Sequence, residues 1–189
     1  MRLNNTIIDL SKPRVMTIIN ITPDSFYDGS RCFTEEQIER KVLAALDEGA
    51  DMFDVGGYSS RSNADDVPIN EEIRRIARAM KVIRRVAPST AVSIDSFRAE
   101  VIRRTVEEFG DCIVNDISAG ELDPTMVETV AELRLPYVAM HMRGTPTTMQ
   151  KMTSYSDVVE DVRKYFLRKI EQLREAGIED IVVDAGFGF

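Results

Sequence analysis

Short apolar runs rich in β-branched residues alternate along this chain with longer segments whose apolar residues recur every three or four positions. Val15–Ile21, Met52–Val55, Ala91–Ile94, Cys112–Val114, Tyr137–Met140 and Ile181–Val183 are too short for helices and read as buried strands. Met1–Pro13 reads as a short edge strand or an irregular lead-in. Thr34-Glu-Glu-Gln37 has the form of a capping box, and Ile38, Val42, Ala45 and Leu46 follow at helical spacing until Gly49. Asn70 is placed to cap a second helix with the stripe Ile73, Ile76, Ala77, Met80 and Ile83. Ile102, Val106 and Phe109 mark a third helix, closed by Gly110. Asp123 followed by Pro124 predicts the start of a fourth, running through Leu133. A fifth spans roughly Ser156 to Ala176, with Val159, Val162, Phe166, Ile170 and Leu173 facing inward.

Each crossover helix must bury its stripe against the strands, so this order implies a parallel sheet covered by helices. An open doubly wound sheet would be complete with about six strands, whereas a (β/α)8 barrel needs eight and typically about 250 residues. No Gly-x-Gly-x-x-Gly follows the first strand. Asn20, Asp54, Asp95, Asn115, His141 and Asp184 all fall at carboxyl ends of predicted strands, the face on which barrels carry their active sites. The expected fold is therefore an α/β (β/α)8 TIM barrel, here incomplete with about six of eight strand–helix units in one domain over residues 1–189.

The chain has 189 residues, of which 43% are hydrophobic, enough for a sizeable core. A net charge of −8 with scattered basic residues argues against a nucleic-acid partner. No apolar run approaches the roughly 20 residues that span a bilayer, and no signal peptide opens the chain, so no membrane partner and a cytoplasmic location are expected. Cys32 and Cys112 lack the spacing of a metal or disulfide pair and read as free thiols.

Polar residues commonly begin loops, but Asp95, Asn115 and Asp184 each end an apolar strand of the same predicted sheet. A carboxylate suits a ligand with two adjacent N–H donors, and an amide offers a donor beside an acceptor. A flat nitrogen heterocycle satisfies such a set. Gly56-Gly57 permits close backbone approach, and Ser59, Ser60 and Arg61 offer hydroxyls and a guanidinium to an anion, although a Ser-rich stretch is also what an ordinary loop contains. Asn20 has two readings, an amide oxygen for Mg2+ or a turn hydrogen bond. His141, the one histidine, reads as a packed residue rather than a catalyst.

Taken together, Asn20-Ile-Thr-Pro-Asp-Ser-Phe-Tyr-Asp-Gly29, Asp54-Val-Gly-Gly-Tyr-Ser-Ser-Arg61, Ser93-Ile-Asp-Ser96, Val114-Asn-Asp-Ile117, Met140-His141 and Asp184-Ala-Gly-Phe-Gly-Phe189 resemble the dihydropteroate synthase family of folate biosynthesis. The resemblance covers nearly the whole chain, and its first loop is the most specific part. It implies a transferase that condenses 6-hydroxymethyl-7,8-dihydropterin pyrophosphate with 4-aminobenzoate to give 7,8-dihydropteroate and pyrophosphate. By that resemblance Asp95, Asn115 and Asp184 hold the pterin ring, with Ile117 and Met140 packing near it. Asn20 ligates the Mg2+ that neutralises the leaving pyrophosphate, Ser60 and Arg61 contact the pyrophosphate or the aminobenzoate, and Asp28 stabilises the developing pterin-methyl cation.

The second loop departs from the family pattern, reading Tyr-Ser-Ser-Arg-Ser-Asn where Glu-Ser-Thr-Arg-Pro-Gly is common. Ala185 stands where a proline is usual. The family's basic residues on later strands have no counterpart before Phe189, so the 189-residue chain alone is expected to be inactive or nearly so. The family's full-length form implies a homodimer. The alternatives are a pterin-binding methyltetrahydrofolate methyltransferase domain and a non-catalytic pterin-binding fragment.

Overall fold

The structure is a computed structural model that describes residues 1–3, 6–22, 34–58, 67–146 and 148–187. Arg2–Leu3 (β1) and Thr6–Ile7 (β2) pair antiparallel, separate from the main sheet. The lead-in is thus not an edge strand of that sheet; beyond the short antiparallel pair, residues 8–15 have no regular element, in keeping with the irregular reading. Met1, Leu3 and Ile8 pack with Met52, Ala91, Ile113 and Val138, because these inward-facing side chains at the amino ends of the strands need an apolar cover.

Six parallel strands follow in sequence order: Met16–Asn20 (β3), Met52–Gly56 (β4), Ala91–Asp95 (β5), Ile113–Asp116 (β6), Tyr137–Met140 (β7) and Ile181–Asp184 (β8). They form part of a barrel wall. The helices are Glu35–Asp47 (α1), Ile69–Val86 (α2), Ala99–Phe109 (α3), Met126–Leu133 (α4) and Val158–Glu175 (α5). Side chains alternate between the faces of a strand, and the two faces here differ in character. Ile19, Phe53, Val55, Val92, Ile94, Val114, Tyr137 and Ala139 point outward into the core shared with the helices, and all are buried. The inward face carries the polar residues, so the helical layer supplies the cohesion and the inner wall is left for chemistry.

Local signals set most of the helix ends. Thr34 Oγ1 accepts from the Gln37 amide at 3.3 Å while Gln37 Oε1 accepts from the Thr34 amide at 2.9 Å, closing the predicted capping box. Gly49 and Gly110 take the left-handed φ of 96° and 80° just past α1 and α3. Three boundaries differ from expectation. Asn70 does not cap α2; the helix starts at Ile69 behind Pro68, whose φ of −56° is already helical, so Asn70 lies in its first turn. Asp123 does not cap α4 either, and Pro124 precedes that helix. The Asp123 carboxylate instead accepts from the Ala99 amide at 2.8 Å, at the start of α3, and from Thr125 N and Oγ1 at 2.9 and 2.7 Å. The third is α5, which begins at Val158 because Asp157 accepts from the Glu160 amide at 3.0 Å.

On α5 the predicted stripe is only partly inward. Phe166 and Leu173 are buried, Val162 and Ile170 are half-buried, but Val159 is 75% exposed. The helix meets the rest of the fold along one flank, where the Tyr165 ring lies 4.8 Å from that of His141 and Lys169 Nζ lies 3.2 Å from Glu121 Oε1. The same geometry leaves Ile18 on β3 56% exposed and Val183 on β8 46% exposed, both on the sheet's outermost strands.

Asp116, at the end of β6, is fully buried and is satisfied by four donors: Ser118 N and Oγ at 2.7 Å each, Gly120 N at 2.8 Å and Tyr137 Oη at 2.7 Å. It shapes the turn in which Ala119 and Gly120 take positive φ. Asp116→Ala leaves these donors without an acceptor and is expected to destabilise the fold by about 3 kcal/mol or more. Urea unfolding checks this against Arg104→Ala on the surface, expected within about 0.5 kcal/mol of the parent.

Candidate active site

The register of the sheet lines up one row of residues across its inner face: Asn20, Gly56, Asp95, Asn115, Val138 and Val182. Three of the predicted site residues therefore share a level, separated only by a glycine. Gly56 makes this possible. A Cβ there would lie 2.6 Å from Asn20 Oδ1 and 3.3 Å from Asp95 Oδ2, so the amide and the carboxylate converge over bare backbone.

Asp54 lies one inward position deeper. It is not at the carboxyl end of its strand, as its sequence position suggested, but in the middle of β4 and buried at 5% exposure. The Asn115 Nδ2 donates toward its oxygens at 3.3 and 3.2 Å, which fixes the amide plane and directs the Asn115 oxygen away from Asp54. Ser93 Oγ is buried without a well-formed hydrogen bond, yet it lies close enough to Asp54 to favour the charged carboxylate. Burial has the larger effect and holds Asp54 above the usual carboxylate range.

Asp95 is held well above that range, first by desolvation and then by the negative charges of Asp54, Glu72 and Asp116. Its side chain remains partly accessible on the inner face. Asn20 Oδ1 is buried and has no hydrogen-bond partner among the described residues, so the turn hydrogen bond is not what that atom makes there. An orphaned hard oxygen fits a Mg2+ ion, which takes one or two protein oxygens and completes its shell with water and phosphate. Among the described residues no cluster of three or more His, Cys, Asp or Glu is arranged to hold a metal.

Above this row, Ile117 and Met140 are buried with Met142 and Met149, and Phe97 and Leu122 pack against them. The two residues expected to flank a ring thus belong to one apolar cluster beside Asp95 and Asn115. Asp184 pairs in register with Met140 on the outermost strand and is exposed, its Oδ1 accepting from Gly186 N at 2.9 Å. Asp28, Ser60, Arg61 and Cys32 lie outside the described residues. His141 sits one residue beyond β7 with its ring 4.8 Å from that of Tyr165 in an edge arrangement, and burial lowers its affinity for a proton. It is a packed residue, as expected. Cys112 is buried, its thiol pushed up to about 12 by desolvation, and is inert in that state.

The pattern of the pterin binding enzymes matches residues 16–189. The chain belongs to this family. Over 188 residues this pterin binding enzyme is 39% identical to the dihydropteroate synthase of Haemophilus influenzae, covering 98% of the chain and 67% of that protein. Its fold matches the Xanthomonas albilineans dihydropteroate synthase solved with 4-aminobenzoic acid at a TM-score of 0.85 and 38% identity, over all of the chain and 67% of that structure. The same enzyme in complex with 7,8-dihydropteroate matches at 0.81 and 36%, again over all of the chain and 67% of that structure. The chain spans about two thirds of the length of these relatives. The match to barrel enzymes agrees with the row of inward polar groups at the carboxyl ends of the strands.

Sequence reasoning missed Asp54 as part of the inner wall and Gly56 as the spacer between Asn20 and Asp95. The signal was available for Asp54, a lone carboxylate alternating with Phe53 and Val55 inside an apolar strand. For Gly56 the paired glycines signalled a close approach but not the groups that make it, because these are side chains from two other strands.

The carboxyl of Asp95 is raised in the folded state, so the folded protein binds a proton there more tightly than the unfolded chain does. Stability from this group is full below its unfolded value of about 3.8 and is lost as pH rises through the higher folded value. Asp95→Asn removes that loss. The variant is expected to resist urea better than the parent at pH 8, with the gap closing by pH 4, as unfolding midpoints at the two pH values will show.

Proposed function

We propose that this chain carries the pterin-recognising part of a dihydropteroate synthase, an enzyme joining 6-hydroxymethyl-7,8-dihydropterin pyrophosphate to 4-aminobenzoate with release of pyrophosphate. The observation that supports it best is the convergence of Asp95 and Asn115 on one inward row beside the Ile117 and Met140 cluster. Asp95 offers two acceptor oxygens to adjacent N–H groups of a pterin. The ring brings N–H donors to a carboxyl that burial and the neighbouring charges of Asp54, Glu72 and Asp116 hold above its ordinary range, so binding favours the ionised form. Asn115, its nitrogen held by Asp54, presents its oxygen in a set orientation. Ile117 and Met140 cover the flat faces, and Asp184 takes polar atoms on the side of β8.

Asn20 would hold a Mg2+ ion through its unpartnered Oδ1. When bound, that ion supplies positive charge to the departing pyrophosphate. Ser60 and Arg61 contact the pyrophosphate or the aminobenzoate, and Asp28 stabilises the positive charge that grows on the pterin methylene as the C–O bond breaks. The reading extends to small-molecule substrates, a cytoplasmic location and a homodimer of the full-length form.

Asp95→Asn is expected to weaken pterin binding by roughly 1.5–3 kcal/mol through loss of a charge-assisted pair. Calorimetry with 6-hydroxymethylpterin on parent and variant measures this, and equal affinity would show that the ring is held elsewhere. Formation of pteroate that depends on added 4-aminobenzoate, assayed on the full-length form, separates a synthase from a pterin-binding methyltransferase.

A further inference from the structure

Gly57 and Tyr58 follow β4 and Val67 stands just before α2, and the segment between them, residues 59–66, lies outside the described residues. Both ends of that segment meet one side chain from a different loop. Arg98, between β5 and α3, donates from Nη1 to the Val67 carbonyl at 2.7 Å. Its guanidinium carbon also lies 5.0 Å from the centre of the Tyr58 ring and 5.3 Å from that of Phe97. Tyr58 and Phe97 themselves meet edge to face at 5.2 Å and 83°.

What holds Arg98 in place is buried. Glu72, in the first turn of α2 and fully inaccessible, accepts from Arg98 Nη1 at 2.8 Å and from Ser96 Oγ at 2.6 Å. Ser96 Oγ in turn accepts from the Arg98 amide at 3.2 Å. The strand-side stem is packed on the same turn: a Cβ at Gly57 would lie 2.9 Å from the Glu72 carbonyl oxygen, and Arg75 donates to the Gly57 carbonyl at 3.0 Å. A buried ion pair adds little net stability, because desolvating both charges offsets their attraction. Burial pushes the Glu72 carboxyl up while Ser96 and Arg98 oppose it. Placement is the service such a costly network performs.

We propose that Arg98 is a positioning residue for the second loop, its guanidinium holding the Tyr58 stem by stacking and the Val67 stem by a hydrogen bond while Glu72 locks it. The inference rests on the synthase reading, in which Ser60 and Arg61 on this loop contact the pyrophosphate. It also gives Tyr58, the aromatic residue at a position where the family commonly has Glu, a physical role. A planar guanidinium can stack and donate at its edge together, which an ammonium cannot.

Arg98→Lys keeps a charge beside Glu72 but loses the plane, and Tyr58→Leu removes the ring while leaving the Glu72 to Arg98 pair intact. Calorimetry in Mg2+ compares 6-hydroxymethylpterin with its pyrophosphate ester on the full chain. Both variants are expected to keep affinity for the bare pterin within about twofold of the parent and to lose about tenfold of the added affinity that the pyrophosphate confers. Equal losses for both ligands, or no loss for either, would overturn the proposal. Hydrogen exchange over residues 59–66 reads the same clamp without a ligand, with exchange about tenfold faster in both variants. Unchanged exchange rejects the clamp. If the parent binds neither ligand, the synthase reading is what fails, and the exchange result still decides the role of Arg98.

Discussion

The site depends on the absence of one side chain. Gly56 stands in register between Asn20 and Asp95, and the 2.6 Å and 3.3 Å approaches that a Cβ would make to them measure how little room the backbone leaves. Parallel pairing sets the row, and the glycine lets its polar members face a common point. Neither would persist without the outward faces of the same strands, where Phe53, Val55, Val92 and Ile94 bury completely against the helices. The helical layer holds the strands rigidly enough for an unfavourable arrangement to survive on the inside.

That arrangement is electrostatic. Asp54 and Asp95 are enclosed near one another with Glu72 and Asp116 close by, and Asp95 is raised by all three. A folded protein gains nothing from concentrating carboxyl groups in a poorly solvated wall. The groups that are purely structural are fully satisfied, as Asp116 is by its four donors. Asn20 Oδ1 and Ser93 Oγ are left without hydrogen bonds among the described residues. Unmet polar demand on the inner wall, beside complete satisfaction on the outer side, is the pattern expected where a ligand completes the bonding.

Much of this was legible in the residues. The six apolar runs became the six strands within a residue or two, and the capping box at Thr34 formed as written. Asp95, Asn115 and Asn20 could be picked out because a polar residue ending a buried strand is conspicuous. The failures share a cause. Asn70 and Asp123 are good capping residues, yet Pro68 already supplies the entry geometry of α2, and Asp123 spends its carboxylate on Ala99, a partner distant in sequence. Val159 fits the helical period of α5 but faces solvent, because period says which residues share a face and not whether anything lies opposite.

The chain by itself therefore determined the alternation of strand and helix, the parallel sheet and the identity of the groups at the strand ends, since these follow from local periodicity and from residue chemistry. Tertiary structure alone decided the rest. It set the register that levels Asn20 with Asp95 and Asn115, and the close approach over Gly56. It placed Asp54 behind Asn115, and brought Arg98 onto both stems of a loop some 30 to 40 residues away in sequence. Each is a contact between elements far apart along the chain, and its geometry is fixed by how strands pair and helices pack rather than by the residues on either side.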